Sequence, residues 1–177
     1  MSTPSLILLL LLTPWLVVLC RSDIRCRRLP NVWTLGGLVV AFAVRGGWAG
    51  WSGVADAAAA SGMCVLFLLL PFLVRAAGGG DVKMLAACGA FLGVGRMFPF
   101  LISVSFAGFI VAVVLVVVRP ATGARLKHWL RVLVDWRYDR AVGRAALPAR
   151  TDEKGRVPFG VAIALGAWMT LLLEILP

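Results

Sequence analysis

Any chemistry in this chain has to come from acids. Its single histidine, His128, sits in a basic stretch, and no Gly-x-Ser-x-Gly elbow occurs, so a nucleophilic serine or cysteine lacks its usual base. The four cysteines, Cys20, Cys26, Cys64 and Cys88, form no CxxC pair, and no cluster of His, Asp and Glu has metal-ligand spacing. No metal and no cofactor is therefore expected. Eight acidic side chains remain. Asp135, Asp139, Asp152 and Glu153 lie among Arg and Lys, where ion pairing is their ordinary role. Asp56 fits a helix cap and Glu174 falls near the end of the last apolar run.

Asp23 and Asp81 differ from these, because each stands at the border of an apolar run, one just past the first and the other just before the fourth. Two carboxylates brought close together do not both ionise easily, so they share a proton. One then acts as base toward water and the other as acid toward a carbonyl, which is peptide hydrolysis without a metal. Gly78, Gly79 and Gly80 precede Asp81, and residues without side chains let an extended substrate backbone come close. A helix starting near Asp81 would favour the ionised carboxylate there by its dipole, making Asp23 the proton holder.

The elements that must position these acids are apolar helices. Hydrophobic residues make up 61% of 177 positions, more than one soluble core of this size can bury. Residues 4–20, 54–74, 98–118 and 158–176 are nearly charge-free, and 32–50 and 82–96 are apolar but carry Arg45 and Arg96 near their far ends. Each is close to the ~20 residues that cross hydrocarbon as a helix. With six crossings, the loops at 21–31, 75–83 and 119–157 hold all but two of the 18 Lys and Arg, as cytoplasmic loops do. The expectation is an all-α integral membrane protein, one domain over 1–177, with about six transmembrane helices and the N-terminus outside. Asp23 and Asp81 then face the cytoplasm, while Asp56 and Glu174 lie near the outer surface. No basic residue precedes the first run and Arg21, Arg25, Arg27 and Arg28 follow it, so it reads as a retained helix rather than a signal peptide. Leu19 argues against a lipoprotein cysteine at Cys20.

One long basic loop, 119–157, interrupts the domain. Leu126, Trp129, Leu130, Leu133 and Val134 recur in it at helical spacing, with Arg125, Lys127, Arg131, Asp135 and Arg140 mostly on other faces. An amphipathic helix with Trp129 and Trp136 at its apolar edge suits the surface of anionic lipid. It is also a candidate docking surface for a cytoplasmic assembly partner. The net charge of +10 follows from the positive-inside bias, and no nucleic acid partner is expected.

Two motifs carry a resemblance. Asp23-Ile24-Arg25-Cys26-Arg27-Arg28-Leu29-Pro30-Asn31 looks like a catalytic aspartate, an arginine two later, and a hydrophobic-Pro-Asn start to the next helix; Gly78-Gly79-Gly80-Asp81-Val82-Lys83-Met84 looks like Gly-x-Gly-Asp-x-Lys. With Pro158-Phe159-Gly160 before the last helix, this order resembles the bacterial prepilin peptidase family, within the Gly-x-Gly-Asp group of intramembrane aspartic proteases. The resemblance implies an inner-membrane endopeptidase that uses Asp23 and Asp81 to remove the short basic leader of a prepilin or pseudopilin precursor at the cytoplasmic face. Arg25, Pro30, Asn31, Gly78, Gly79, Gly80, Lys83, Pro158, Phe159 and Gly160 would bind substrate or support the acids. Membrane lipid and pilus assembly proteins are the further partners implied. Larger relatives carry a methyltransferase region with paired CxxC motifs; nothing here is similar to it, so the chain looks like the compact peptidase-only branch that serves tight-adherence or similar type IV pilus systems, or a related secretion system, and N-methylation is not expected. Two rivals remain, a non-enzymatic assembly or scaffold component of a pilus or secretion system and a small transporter, since acids and Gly-rich breaks also mark ion pathways.

Overall fold

The computed structural model describes residues 3–26, 29–73, 77–118 and 159–175. Among these residues the protein is helical throughout, without strands: α1 (Thr3–Cys26), α2 (Asn31–Leu73), α3 (Gly79–Leu92), a 3-10 turn (Val94–Arg96), α4 (Met97–Val118) and α5 (Phe159–Ile175). The expected amphipathic helix, with His128, Trp129 and Trp136, lies outside the described residues, as does Pro158.

The 43 residues of α2 do not form one rod. Gly50 takes φ 60° and ψ −142°, a left-handed conformation that favours glycine, and the chain folds back there. A side chain on Gly53 would run into the carbonyl oxygen of Arg45, eight positions earlier and about 12 Å away in a continuous helix. Gly46 faces Val54 at 3.1 Å, and Arg45 pairs with Asp56. The limbs 31–49 and 51–73 therefore run antiparallel, as the separate stretches 32–50 and 54–74 lead one to expect. By length and composition, Ser5–Cys26, Asn31–Leu73 and Val94–Val114 are long and apolar enough to cross a membrane, and Phe159–Ile175 is a shorter apolar helix.

Packing explains which faces are apolar and why. In α1, Leu8, Leu12, Leu16 and Leu19 recur at helical spacing and are fully buried, while Leu10, Val17 and Val18 on other faces are exposed. Exposed Leu, Val and Phe cover the outside of every helix except α3, a surface that only lipid solvates well. α3 is the central helix: Met84 through Leu92 are all buried. Its neighbours approach closely because the contacts are small, with Gly89 of α3 set against Cys64 and the Ala60 carbonyl of α2, and Gly166 of α5 against Val104 of α4. In lipid, where burial of apolar surface drives little, such close approach is what joins helices.

Polar residues tie one end of the bundle. Arg96 donates from Nε to both Glu174 oxygens at 2.8 Å and from Nη2 to Ser5 Oγ at 3.1 Å, while Ser5 Oγ donates to Glu174 Oε2 at 2.7 Å. The start of α1, the turn after α3 and the end of α5 are joined there. Beside them Asp56 accepts from Arg45 and, at 3.2 Å, from the Val94 N–H. Asp56 thus serves as an ion-pair partner between the α2 hairpin and the turn after α3, a larger role than a helix cap. The charges that made 32–50 and 82–96 untidy are neutralised in pairs.

Candidate functional site

The opposite end gathers the last turn of α1 and the first turns of α2, α3 and α5. Every residue that the sequence marks for chemistry and the structure describes lies at this end.

Asp23 is within α1, not beyond it as the apolar run alone implies. The helix continues through Cys26 because backbone hydrogen bonding does not stop where hydropathy does, and arginine is a good helix former. Asp23 is buried, and its Oδ2 accepts the Gly160 N–H at 2.9 Å. Gly160 is the second residue of α5, so this N–H is one of the donors that a helix start leaves without an intrahelical acceptor. A side chain on Gly160 would place Cβ 2.8 Å from that same carboxylate oxygen; glycine is needed for clearance. Cys20, one turn before Asp23, points its Sγ at the Gly160 carbonyl, 3.9 Å away. Phe159 fixes the start of α5 from the other side, its ring 3.1 Å from where a Gly108 side chain would begin. The last turn of α1 therefore seats on the first turn of α5.

Asp81 is the third residue of α3. Gly78 is its N-cap, in extended conformation with φ −84° and ψ 151°, and Asp81 Oδ2 accepts the Gly78 N–H at 3.0 Å. This is the reach-back half of a capping box. Gly79 and Gly80 belong to the helix itself. Gly80 does not offer an open cradle, because Leu29 Cβ lies 2.9 Å from where its side chain would begin. The close approach that glycine permits is used there by the chain's own segment. Gly79 is exposed, its nearest neighbour being the Phe72 ring at 3.6 Å.

The segment leading into α2 completes the site. The Pro30 carbonyl accepts the N–H groups of Trp33 at 3.1 Å and Thr34 at 3.2 Å, which starts the helix where proline's fixed φ suits it. Asn31 Oδ1 accepts a hydrogen bond from Lys83 Nζ at 2.8 Å, a contact spanning the two motifs. Arg25 is exposed; two positions from Asp23 on one helix, it lies on nearly the opposite side and does not share that carboxylate's face. Both acids now stand beside helix N-termini, Asp23 at that of α5 and Asp81 at that of its own helix, so the dipole does not distinguish a proton holder. Among the described residues no three His, Cys, Asp or Glu side chains are grouped to hold a metal.

Sequence reasoning missed the Arg45–Asp56 and Arg96–Glu174–Ser5 contacts. The available signal was a lone arginine in each of two apolar stretches, which lipid does not tolerate without a partner.

A model of the type IV leader peptidase family matches residues 10–113. The match takes in Asp23, the Leu29-Pro30-Asn31 segment and the whole Gly78–Met84 motif, and covers more than half of the chain. The chain belongs to the type IV leader peptidase family. Comparison with curated proteins and with solved structures gave no match. Family membership and the long apolar helices together make this a membrane peptidase. Phe159 and Gly160 lie beyond the matched region, so their place at the site rests on the contacts they make with Gly108 and Asp23.

Proposed function

We propose that this protein is an aspartic endopeptidase of the bacterial inner membrane that removes the short leader of type IV prepilin-like precursors at the cytoplasmic face. The observation that carries the reading is the convergence, at one end of the bundle, of the two motif segments: Asp23 against Gly160, Leu29 against Gly80, and Asn31 against Lys83. Both acids lie within the region that matches the family.

Read with six crossings, the basic residues of the loops favour the cytoplasmic side for this end of the bundle. Each limb of α2 rises about 27 Å or more along its axis, close to the ~30 Å of hydrocarbon. Exposed Trp33 at the start of α2 and exposed Trp48 and Trp51 at its reversal stand at the two depths where tryptophan prefers to sit. A precursor carries its own apolar helix, which packs laterally against the exposed apolar faces, and its leader junction is then presented at the membrane border.

In the reaction, one carboxylate of the Asp23–Asp81 pair removes a proton from water as oxygen attacks the scissile carbonyl carbon, and the other protonates the carbonyl oxygen. Collapse of the tetrahedral intermediate breaks the C–N bond, with a proton delivered to the leaving amine. The products are a carboxylate on the leader and an amine on the mature protein. Anionic lipid and pilus assembly proteins are the partners we propose, on the basic composition of residues 119–157.

The test is purified full-length protein incubated with a candidate precursor, followed by mass spectrometry of both products. Cleavage at a single leader junction supports the reading. An intact precursor, with the protein folded and helical in detergent, overturns it in favour of a scaffold or transporter.

A further inference from the structure

We propose that Lys83 and Asn31 form a positioning pair, a strut between the starts of α2 and α3 that holds Asp81 at its working distance from Asp23 without touching the reacting atoms. This rests on the reading of Asp23 and Asp81 as the hydrolytic pair.

A basic residue two positions after a candidate catalytic aspartate invites the idea that it partners that carboxylate or the substrate. Helix geometry argues otherwise. Asp81 and Lys83 both lie in α3, and residues two apart are separated by about 200° around the axis, so they do not face each other. Gly80 and Lys83, three apart, share a face. That face meets the segment following α1: Leu29 fills the space beside Gly80, and Asn31 Oδ1 takes the Lys83 ammonium at 2.8 Å. One contact is apolar and the other polar, and Asp81 projects from between them on a different side.

The consequence is a division of labour. Asp23 is fixed from α5 by the Gly160 N–H. Asp81 is fixed along its own helix by the Gly78 N–H, which sets its rotamer but not the lateral position of the helix start. The α3 start has three glycines in succession, a stretch with little stiffness of its own. Leu29 and Asn31 supply lateral contacts there, and the Asn31–Lys83 bond is a directional one. Because this bond is exposed, its loss removes little stability, while misplacing a catalytic group by a fraction of an ångström is felt strongly in the rate.

The experiment measures kcat and KM for a synthetic precursor with purified full-length wild type, Lys83→Met, Asn31→Leu, the double variant, Asn31→Asp and Asp81→Asn, with the thermal midpoint of each in detergent. The strut predicts kcat lowered roughly 10-fold in each single variant with KM little changed. The double variant is no worse than either single one, because both remove the same contact, and Asn31→Asp, which keeps an acceptor for Lys83, holds near wild-type kcat. Multiplicative losses in the double variant, a change in KM alone, or full kcat in Lys83→Met each overturn it. Should Lys83→Met fail to fold, Asn31→Asp against Asn31→Leu decides: equal loss in both overturns the strut. If the wild type does not cleave, or Asp81→Asn cleaves normally, the hydrolytic reading falls and takes the strut's function with it. If those controls behave, a failure belongs to the strut alone.

Discussion

Replacing Gly160 by alanine separates two roles that glycine can have in a helix. The new methyl carbon would lie 2.8 Å from Asp23 Oδ2, 3.3 Å from its Cγ and 3.5 Å from its Cβ. Carbon and a carbonyl-type oxygen approach to about 3.3 Å in favourable contacts, so the carboxylate has to retreat by roughly 0.5 Å. The hydrogen bond from Gly160, now 2.9 Å, then opens to roughly 3.4 Å, past the usual limit of about 3.2 Å. A displacement of about 1 Å at a reacting group costs about 100-fold, so half of that corresponds to roughly 10-fold in kcat, or ~1.4 kcal/mol of barrier. Helix propensity works the other way, since alanine stabilises a helix over glycine by about 1 kcal/mol. Gly62→Ala is the control, because Gly62 is helical, exposed and has nothing within 4 Å of its would-be side chain. The assay is the initial rate of leader removal at saturating precursor, with the thermal midpoint recorded in parallel. Gly62→Ala keeps its rate and does not lose stability; Gly160→Ala loses rate. Wild-type kcat in Gly160→Ala would refute the argument that this glycine exists to clear the Asp23 carboxylate.

Further outcomes follow from the other end of the bundle and from the absence of other chemistry. Arg96→Ala leaves Glu174 and Ser5 without their shared donor, and we expect destabilisation on the order of 2 kcal/mol, read as a lower thermal midpoint in detergent. Gly93→Ala forces a side chain into φ +79° and against Asp56 and Arg45; the conformational cost alone is about 1–2 kcal/mol, and the same unfolding measurement checks it. Processing by the wild type survives chelators, because no metal cluster occurs among the described residues, and survives modification of the exposed Cys26, which is no part of the acid pair. Loss of cleavage on chelation, restored by added metal, would contradict this.

The helices were legible because apolar runs of membrane length have few other fates, and the helix start supposed near Asp81 lies at Gly79. The reversal of α2 was legible only as the gap between the apolar stretches 32–50 and 54–74. What the sequence did not reveal was lateral. Nothing local in it says that Gly160 meets Asp23 across 137 positions, or that Arg96 finds Glu174 across 78. Such contacts depend on which helices become neighbours, and a helix buried on all sides, as α3 is from Met84 to Leu92, has no periodicity to announce its partners. Hydropathy also misplaced the end of α1, because its last turns carry Arg21, Asp23 and Arg25. The space beside Gly80, read from sequence as room for substrate, is filled by Leu29, a packing detail no spacing rule contains.

In the proposed mechanism Asp23 and Asp81 work as one unit on one water. This is tested most directly by kcat for Asp23→Asn and Asp81→Asn on a defined precursor, each variant first shown to be folded in the membrane fraction. Asparagine keeps the shape and an oxygen to accept the Gly160 or Gly78 N–H, so only the proton chemistry changes. Each substitution alone is expected to lower cleavage by at least about 1,000-fold. Near wild-type cleavage by either folded variant would contradict it.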